Sequence, residues 1–174
     1  MNYTLARNVI IYDELTKILS SFNASDIKTI VLAGAALGAT VYPNIGERPM
    51  GDIDLLIKPV DRKKITDELL RLGYTPEPAR SDEEHYAKTI GDFTLHIDCH
   101  NNLRHYLDDR ALAGVWARAR PLSVIPAKAG IQPLILSPED TIIYTAVDAA
   151  IYHGRITANT INELTQIIKY YGST

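Results

Sequence analysis

Residues 29–57 read TIVLAGAALGATVYPNIGERPMGDIDLLI, and this stretch carries the strongest structural signals of the chain. Two carboxylates, Asp52 and Asp54, stand one residue apart where an apolar β-type segment begins. Successive side chains of a strand point to opposite faces, so the two acids share one face and the apolar residues take the other. Like charges this close repel unless a cation lies between them, and carboxylates readily hold Mg²⁺. The alternative is a strand whose solvent face carries two acids.

A glycine turn precedes these acids. The β-branched run Thr29–Leu32 predicts a short buried strand, Gly34 follows it, and Ala35–Thr40 predicts a helix of small residues. A helix that starts directly after a strand and a glycine presents unpaired backbone N–H groups at its positive end. This arrangement is typical of phosphate binding, although a glycine turn is also an economical way to connect a strand to a helix.

Arg48 lies between the glycine turn and the acids, four residues before Asp52. Its planar guanidinium is suited to gripping phosphate oxygens or to orienting the two carboxylates. Local balancing of the acidic charge is the other interpretation of the same position.

A second strand carries a third acid. Tyr86–Ile90 and Phe93–His100 predict a hairpin that turns at Gly91-Asp92, after a polar loop over 75–84. Strict alternation places Thr94, His96, Asp98 and His100 together on one face. The pattern has two interpretations: Asp98 completes the site of Asp52 and Asp54, or His96 and His100 form a metal site with Asp98.

Composition limits the remaining possibilities. The chain has 174 residues, 46% hydrophobic and 22% charged, which predicts one soluble globular domain. A net charge of −3 is not the footprint of a general nucleic-acid binder. We expect no membrane segment and no signal peptide, because the chain lacks an apolar run of about 20 residues and a basic, then apolar, N-terminus. The single cysteine, Cys99, indicates a reducing compartment, so we expect a cytoplasmic protein.

The order of predicted elements, αβαβαββα-ββ-αα, indicates an α+β (α/β) fold with a mixed β-sheet flanked by helices. We predict a domain over residues 1–136 and a C-terminal helical part, 137–174, of the same globular unit. Within the last predicted hairpin, residues 124–132 look like a translated palindromic genomic repeat, so we expect no site residue there.

The chain contains, in this order, a glycine turn, a helix, an arginine, an Asp-x-Asp strand and a later strand with a third acid. This order resembles that of the DNA-polymerase-beta-like nucleotidyltransferase superfamily. Within it, the sequence looks like the uncharacterised nucleotidyltransferase family, and the resemblance covers about residues 29–153. The matching stretches are Leu32–Ala36, Tyr42-Pro43, Arg48–Leu56, Asp98–His100 and Leu136–Asp140.

The resemblance implies a nucleotidyltransferase fold and three catalytic, metal-binding carboxylates. Asp52 and Asp54 would hold Mg²⁺, or Mn²⁺ in its place, on the triphosphate of a bound NTP. Asp98 would share the catalytic ion and help to activate the acceptor hydroxyl. This is the two-metal clamp, in which cations neutralise charge on the attacking and leaving oxygens.

The resemblance also implies a nucleotide-binding set of Gly34, Ala35 and Arg48. The chain differs from the relatives at three places. Ala35 stands where the superfamily has serine, Ala33 where the family has lysine, and Asp148 where the family tends to place a histidine.

We therefore expect an enzyme that transfers a nucleoside monophosphate from an NTP to a hydroxyl acceptor. The acceptor is a small molecule, a protein side chain or an RNA end, and long nucleic acid is least favoured by the charge. The alternative is a catalytically weak or inactive module of the same fold that regulates a protein partner, as in toxin–antitoxin systems. A protein partner or a homodimer is compatible with either.

Overall fold

A mixed β-sheet with helices on both faces forms the centre of the molecule. The computed structural model describes residues 3–78, 83–103, 107–122 and 133–172. The α-helices in these ranges are α1 Tyr3–Ala24, α2 Ala33–Thr40, α3 Arg62–Arg71, α4 Asp109–Arg118, α5 Pro138–Val147 and α6 Ala158–Gly172. The strands are β1 Ile30–Val31, β2 Asp52–Leu56, β3 Thr75–Glu77, β4 Glu83–Ile90, β5 Phe93–His100, β6 Arg120–Pro121 and β7 Leu134–Ile135. A 3₁₀ turn, Pro59–Asp61, precedes α3, and a π-helical turn, Asp148–Tyr152, follows α5.

The strands lie in the order β3-β4-β5-β2-β1-β7-β6. The two strands that carry the candidate acids, β2 and β5, are parallel neighbours at the centre of the sheet. The pair β1 and β7 is also parallel, and the remaining neighbours are antiparallel. The predicted mixed sheet with flanking helices is therefore confirmed.

One face of the sheet is covered by α1 and α3. The apolar side chains that alternate with the acids on β2, Ile53 and Leu55, lie here with Ile97 and Cys99 of β5, all at most 1% exposed. Burying a side chain of this kind contributes roughly 1.5–3 kcal/mol. That driving force fixes the parity of both strands, and it turns Asp52, Asp54 and Asp98 to the opposite face.

The opposite face of the sheet carries an apolar cluster of its own in addition to the three acids. Leu56 packs there with Leu103, Val115 of α4 and Tyr144 of α5. Ser137 caps α5 by accepting a hydrogen bond from the Asp140 N–H at 3.1 Å. The last helix, α6, buries Ile167 against α2.

The polar loop predicted over residues 75–84 is partly wrong. Thr75–Glu77 forms β3, and β4 begins at Glu83, because its pairing with β5 continues back to the pair Glu83 and His100. These positions carry polar side chains, so the alternation of apolar residues that marks a strand is absent there. A hairpin was predicted before α5 from strands 122–125 and 131–136. The structure has β6 at Arg120–Pro121, just before the first predicted strand, paired with β7 inside the second, and the repeat-like segment 124–132 lies outside the described residues.

None of the helices in the described ranges is both long and apolar enough to cross a membrane.

Candidate active site

Three carboxylates lie side by side on the face of the sheet opposite α1. In the parallel pairing of β2 and β5, Asp54 is directly opposite Asp98, and Asp52 is two residues before Asp54 on the same face. Asp52 is exposed, Asp98 is half-buried and Asp54 is only 8% exposed. The structure thus brings the three predicted acids together, while their roles stay predictions.

The charges of these groups influence one another. Although Asp52 as a whole residue is exposed, protein atoms surround its carboxyl group, and this burial, followed by the negative charges of Asp54 and Asp98, raises its pKa from 3.8 to about 6. The guanidinium of Arg48 opposes this shift. The acidic face therefore carries negative charge that a cation would stabilise.

Histidines bridge two of the acids to Glu83. His100, 2% exposed, has Nε2 at 2.9 Å from Asp54 Oδ1 and Nδ1 at 3.0 Å from Glu83 Oε1. His85 has Nδ1 at 2.7 Å from Asp98 Oδ1 and Nε2 at 3.4 Å from Glu83 Oε2. These contacts join Asp54, His100, Glu83, His85 and Asp98 into one chain, which we call the histidine bridge.

The alternative prediction, a metal site of His96, Asp98 and His100, is wrong, because the three side chains contact different partners. His96 Nδ1 lies 3.0 Å from Glu77 Oε2 on β3, whereas His100 contacts Asp54 and Glu83. The three side chains point to different partners because β3 and β4 supply carboxylates that the sequence pattern did not place.

The three acids have the chemistry to bind a divalent ion. In the described part of the chain, however, no group of three or more His, Cys, Asp or Glu side chains is already arranged around a metal position. Carboxylate oxygens are the donors that Mg²⁺ prefers, and it usually takes one or two of them together with phosphate oxygens. The histidine bridge uses one oxygen each of Asp54 and Asp98. The donor set therefore fits an ion that arrives with a phosphate-bearing ligand.

The glycine turn is fastened directly to the acidic strand. The Leu32 N–H donates to the Asp54 carbonyl oxygen at 2.9 Å, and Ala33 then begins α2 with a φ of 41°. An alanine in this left-handed region is strained, and such strain concentrates at ligand-binding sites. The carbonyl of Ala35 accepts a hydrogen bond from the Tyr12 hydroxyl at 2.8 Å, which ties α2 to α1.

Gly34 leaves room for Arg48. A Cβ at position 34 would meet Nη1 of Arg48 at 2.5 Å and Cγ of Met50 at 3.3 Å. The guanidinium therefore lies directly over the turn, and its Nε donates to Glu163 Oε1 of α6 at 2.6 Å. The backbone of Arg48 is held by the Asn8 side chain, which donates to its carbonyl oxygen at 2.7 Å.

We expect Gly34→Ala to weaken nucleotide binding by about three- to tenfold, because the new methyl group displaces the Arg48 guanidinium and narrows the turn. The matched control is Gly51→Ala, since a Cβ there has no atom within 4 Å. Titration of each variant with a non-hydrolysable NTP analogue, together with its melting temperature, measures the effect. Equal affinity in the two variants would mean that the space above Gly34 is not used by nucleotide.

Two hollows adjoin these elements. A cavity of about 210 Å³ is lined by Ala33, Arg48, Thr145 and Glu163 among others, and thus adjoins the glycine turn. Asp148 also lines it, with its carboxylate 3.3 Å from Nε2 of His153. A larger groove of about 610 Å³ runs between α4 and α5, and Tyr144 lines both hollows.

A family model described as an uncharacterised nucleotidyltransferase matches residues 1–171. The chain belongs to this nucleotidyltransferase family. The predicted resemblance is confirmed, and membership of this family supports nucleotidyl transfer as the general reaction. No curated protein matches the chain in sequence.

Solved structures similar to this nucleotidyltransferase share its fold. ANT(2'')-Ia in complex with adenylyl-2''-tobramycin is 18% identical with a TM-score of 0.62, over 94% of this chain and 91% of that one. An antigenic nucleotidyltransferase-like protein from Paracoccidioides brasiliensis is 14% identical with a TM-score of 0.64, over 91% and 75%. The lincosamide adenylyltransferase LnuA, bound to lincomycin, is 14% identical with a TM-score of 0.56, over 89% and 94%. At these identities the likeness concerns the fold, and it confirms the predicted nucleotidyltransferase fold.

Three residues around the site of this nucleotidyltransferase were not predicted. Glu83 and His85 fell in or beside the expected polar loop, and Glu163 is an acid on the last amphipathic helix with no distinguishing motif. Extending the hairpin register backward from Gly91-Asp92 would have placed His85 opposite Asp98. For Glu163 the sequence contains no comparable signal.

Proposed function

We propose that this protein transfers a nucleoside monophosphate from an NTP to a hydroxyl group of a small molecule, with Asp52, Asp54 and Asp98 as the catalytic carboxylates. The observation that carries the proposal is the register of the central sheet, which sets Asp98 directly beside Asp54 and on the same face as Asp52. A purely structural role does not require an acid such as Asp52, whose pKa is raised by burial and by the neighbouring charges of Asp54 and Asp98.

In the proposed reaction the acceptor oxygen forms a bond to the α-phosphorus, the bond from that phosphorus to the bridging oxygen breaks, and pyrophosphate leaves. Asp52 and Asp54, together with Asp98, would hold Mg²⁺ or Mn²⁺. When bound, the ion neutralises charge on the attacking and leaving oxygens. Asp98 orients the acceptor hydroxyl and accepts its proton at a carboxylate oxygen.

The nucleotide is held by Gly34, Ala35 and Arg48. The N-terminal N–H groups of α2 and the guanidinium above Gly34 both favour an anionic ligand at this end of the helix. The backbone bond from Leu32 to Asp54 keeps that anion position next to the acidic strand. Phosphate and acids are thereby brought to one end of the sheet.

A small acceptor is favoured over a macromolecule. The similar ANT(2'')-Ia and LnuA structures contain adenylyl-2''-tobramycin and lincomycin, respectively. The groove between α4 and α5, about 610 Å³, has the volume of a typical small-molecule site. The net charge of −3 does not attract a polyanion.

The test is incubation of the protein with each α-³²P-labelled NTP, Mg²⁺ or Mn²⁺ and a panel of hydroxyl compounds, including aminoglycosides and lincosamides. Label transferred to a small molecule, with pyrophosphate released in equal amount, supports the proposal. Label on protein or RNA from added cell extract would change the acceptor class. Absence of transfer with every NTP and acceptor, together with nucleotide binding, would favour the regulatory module, for which Ala33 in place of lysine is the supporting difference.

Mn²⁺ with a non-hydrolysable NTP analogue is expected to raise the melting temperature, because a cation relieves repulsion among the acids. At about 100 times the dissociation constant the gain is roughly 2.7 kcal/mol, or about 5–10 °C for a chain of this size. Differential scanning fluorimetry with and without EDTA measures it. Asp54→Asn should abolish the metal-dependent part, and Ca²⁺ should bind without supporting transfer. A full shift in the variant would place the ion elsewhere.

A further inference from the structure

Glu83 stands at the middle of the histidine bridge. Its two carboxylate oxygens face different rings, Oε1 facing His100 Nδ1 at 3.0 Å and Oε2 facing His85 Nε2 at 3.4 Å. The other nitrogen of each ring lies within hydrogen-bond distance of a candidate catalytic acid, Asp54 or Asp98. One side chain of β4 therefore connects to two acids on two other strands.

We propose that Glu83 is a positioning residue that holds Asp54 and Asp98 in their metal-binding orientation through His100 and His85. The inference rests on the proposed function, since it assigns those acids to a divalent ion. Carboxylates that bind a metal are oriented by hydrogen bonds of their own, and loss of such a partner typically costs 10–100-fold in metal affinity or activity. Glu83 itself makes no contact with the ion in this proposal.

The bridge has the stiffness that such a role needs. Glu83 pairs with His100, and His85 with Asp98, in the antiparallel register of β4 and β5, so strand hydrogen bonds set all four backbone positions. The His100 side chain is 2% exposed and that of Glu83 is 10% exposed. Turning either side chain aside would break these hydrogen bonds between buried polar groups, which is unfavourable.

The rings also separate like charges. Asp54, Asp98 and Glu83 are three acids within a small volume, and an imidazole lies between Glu83 and each aspartate. Glu83→Gln removes the charge and replaces one of the two acceptor oxygens by an NH2 group, so at least one ring loses its acceptor and its aspartate can move with it. Asp54 and Asp98 are then expected to lose the relative orientation that metal binding requires, whereas the sheet itself is retained.

The test compares Glu83→Gln with a matched control, Glu77→Gln. Glu77 contacts His96 at the same distance, 3.0 Å, and on the same sheet, but it does not belong to the bridge. Mn²⁺ binding is titrated by electron paramagnetic resonance with a non-hydrolysable NTP analogue present, and melting temperatures are recorded. Glu83→Gln is expected to weaken Mn²⁺ binding at least tenfold and Glu77→Gln less than twofold.

His85→Asn is the second variant and keeps the test valid if Glu83→Gln fails to fold. The His85 side chain is 23% exposed, and an asparagine amide can still donate to Asp98 but is too short to reach Glu83. It is expected to weaken Mn²⁺ binding severalfold, and its combination with Glu83→Gln should cost less than the sum of the two changes. In transfer assays both variants should lower kcat and leave KM for the NTP within about threefold.

Wild-type binding of Mn²⁺ that Glu83→Gln weakens and Glu77→Gln preserves supports the inference. Binding that is equal in wild type, Glu83→Gln and His85→Asn overturns it and leaves the proposed function standing. A wild-type protein that binds no Mn²⁺, even with nucleotide, overturns the assignment of the acids to a metal and the positioning role with it.

Discussion

Asp98→Asn is expected to lower kcat for nucleotidyl transfer by about a thousandfold, roughly 4 kcal/mol in the activation barrier. The amide keeps the shape of the side chain and can still accept a hydrogen bond from His85, which lies 2.7 Å from the present carboxylate oxygen. It removes the negative charge, and with it the carboxylate oxygen that we propose takes the proton from the hydroxyl group of the acceptor. Nucleotide affinity should change by less than about threefold, because Asp52 and Asp54 remain.

The matched control for this variant is Asp92→Asn, the same substitution at an exposed position in the turn of the same hairpin. It should leave kcat within twofold of the wild type. Steady-state kinetics with a nucleotide-binding titration separates the two effects. If Asp98→Asn keeps most of its kcat, Asp98 takes no part in the chemistry and only Asp52 and Asp54 remain as candidates.

Arg48→Lys is expected to reduce NTP affinity by tenfold or more. Lysine keeps the positive charge but lacks the planar fork that bonds two oxygens at once. Loss of one charge-assisted hydrogen bond is worth about 1.5–3 kcal/mol, which is at least tenfold in a dissociation constant. The melting temperature of the free protein should change little. Titration with a non-hydrolysable NTP analogue, beside a thermal melt, measures both quantities.

Arg48 already has an acid partner, because its Nε lies 2.6 Å from Oε1 of Glu163. A variant of Glu163 can therefore separate the two possible roles of the arginine. If the guanidinium serves phosphate, Glu163→Gln should leave NTP affinity equal or higher, since a competing carboxylate is removed. If Arg48 mainly fastens α6 to the glycine turn, Glu163→Gln and Arg48→Lys should both lower the melting temperature and leave NTP affinity unchanged. The two variants together distinguish a phosphate ligand from a structural ion pair.

The sequence was sufficient for the central strands because their signals are local. The parity of Asp52 and Asp54 follows from the strand repeat, and the apolar residues between them can be buried in only one way. The Gly91-Asp92 turn likewise predicted the hairpin that carries Asp98. That Asp98 joins the other two acids was expected from resemblance to a family order, and the pairing of β2 with β5, which was not predicted, brings them together.

What the sequence by itself determined is thus the face on which each acid stands, since that depends on neighbouring residues alone. Tertiary structure alone decided which groups surround the acids. Arg48 meets Glu163 across 115 positions of the chain, and no local pattern encodes a contact at that separation. Glu83 and His85 reach the acids because strand pairing continued through polar residues, where backbone hydrogen bonds, not apolar burial, hold β4 in the sheet.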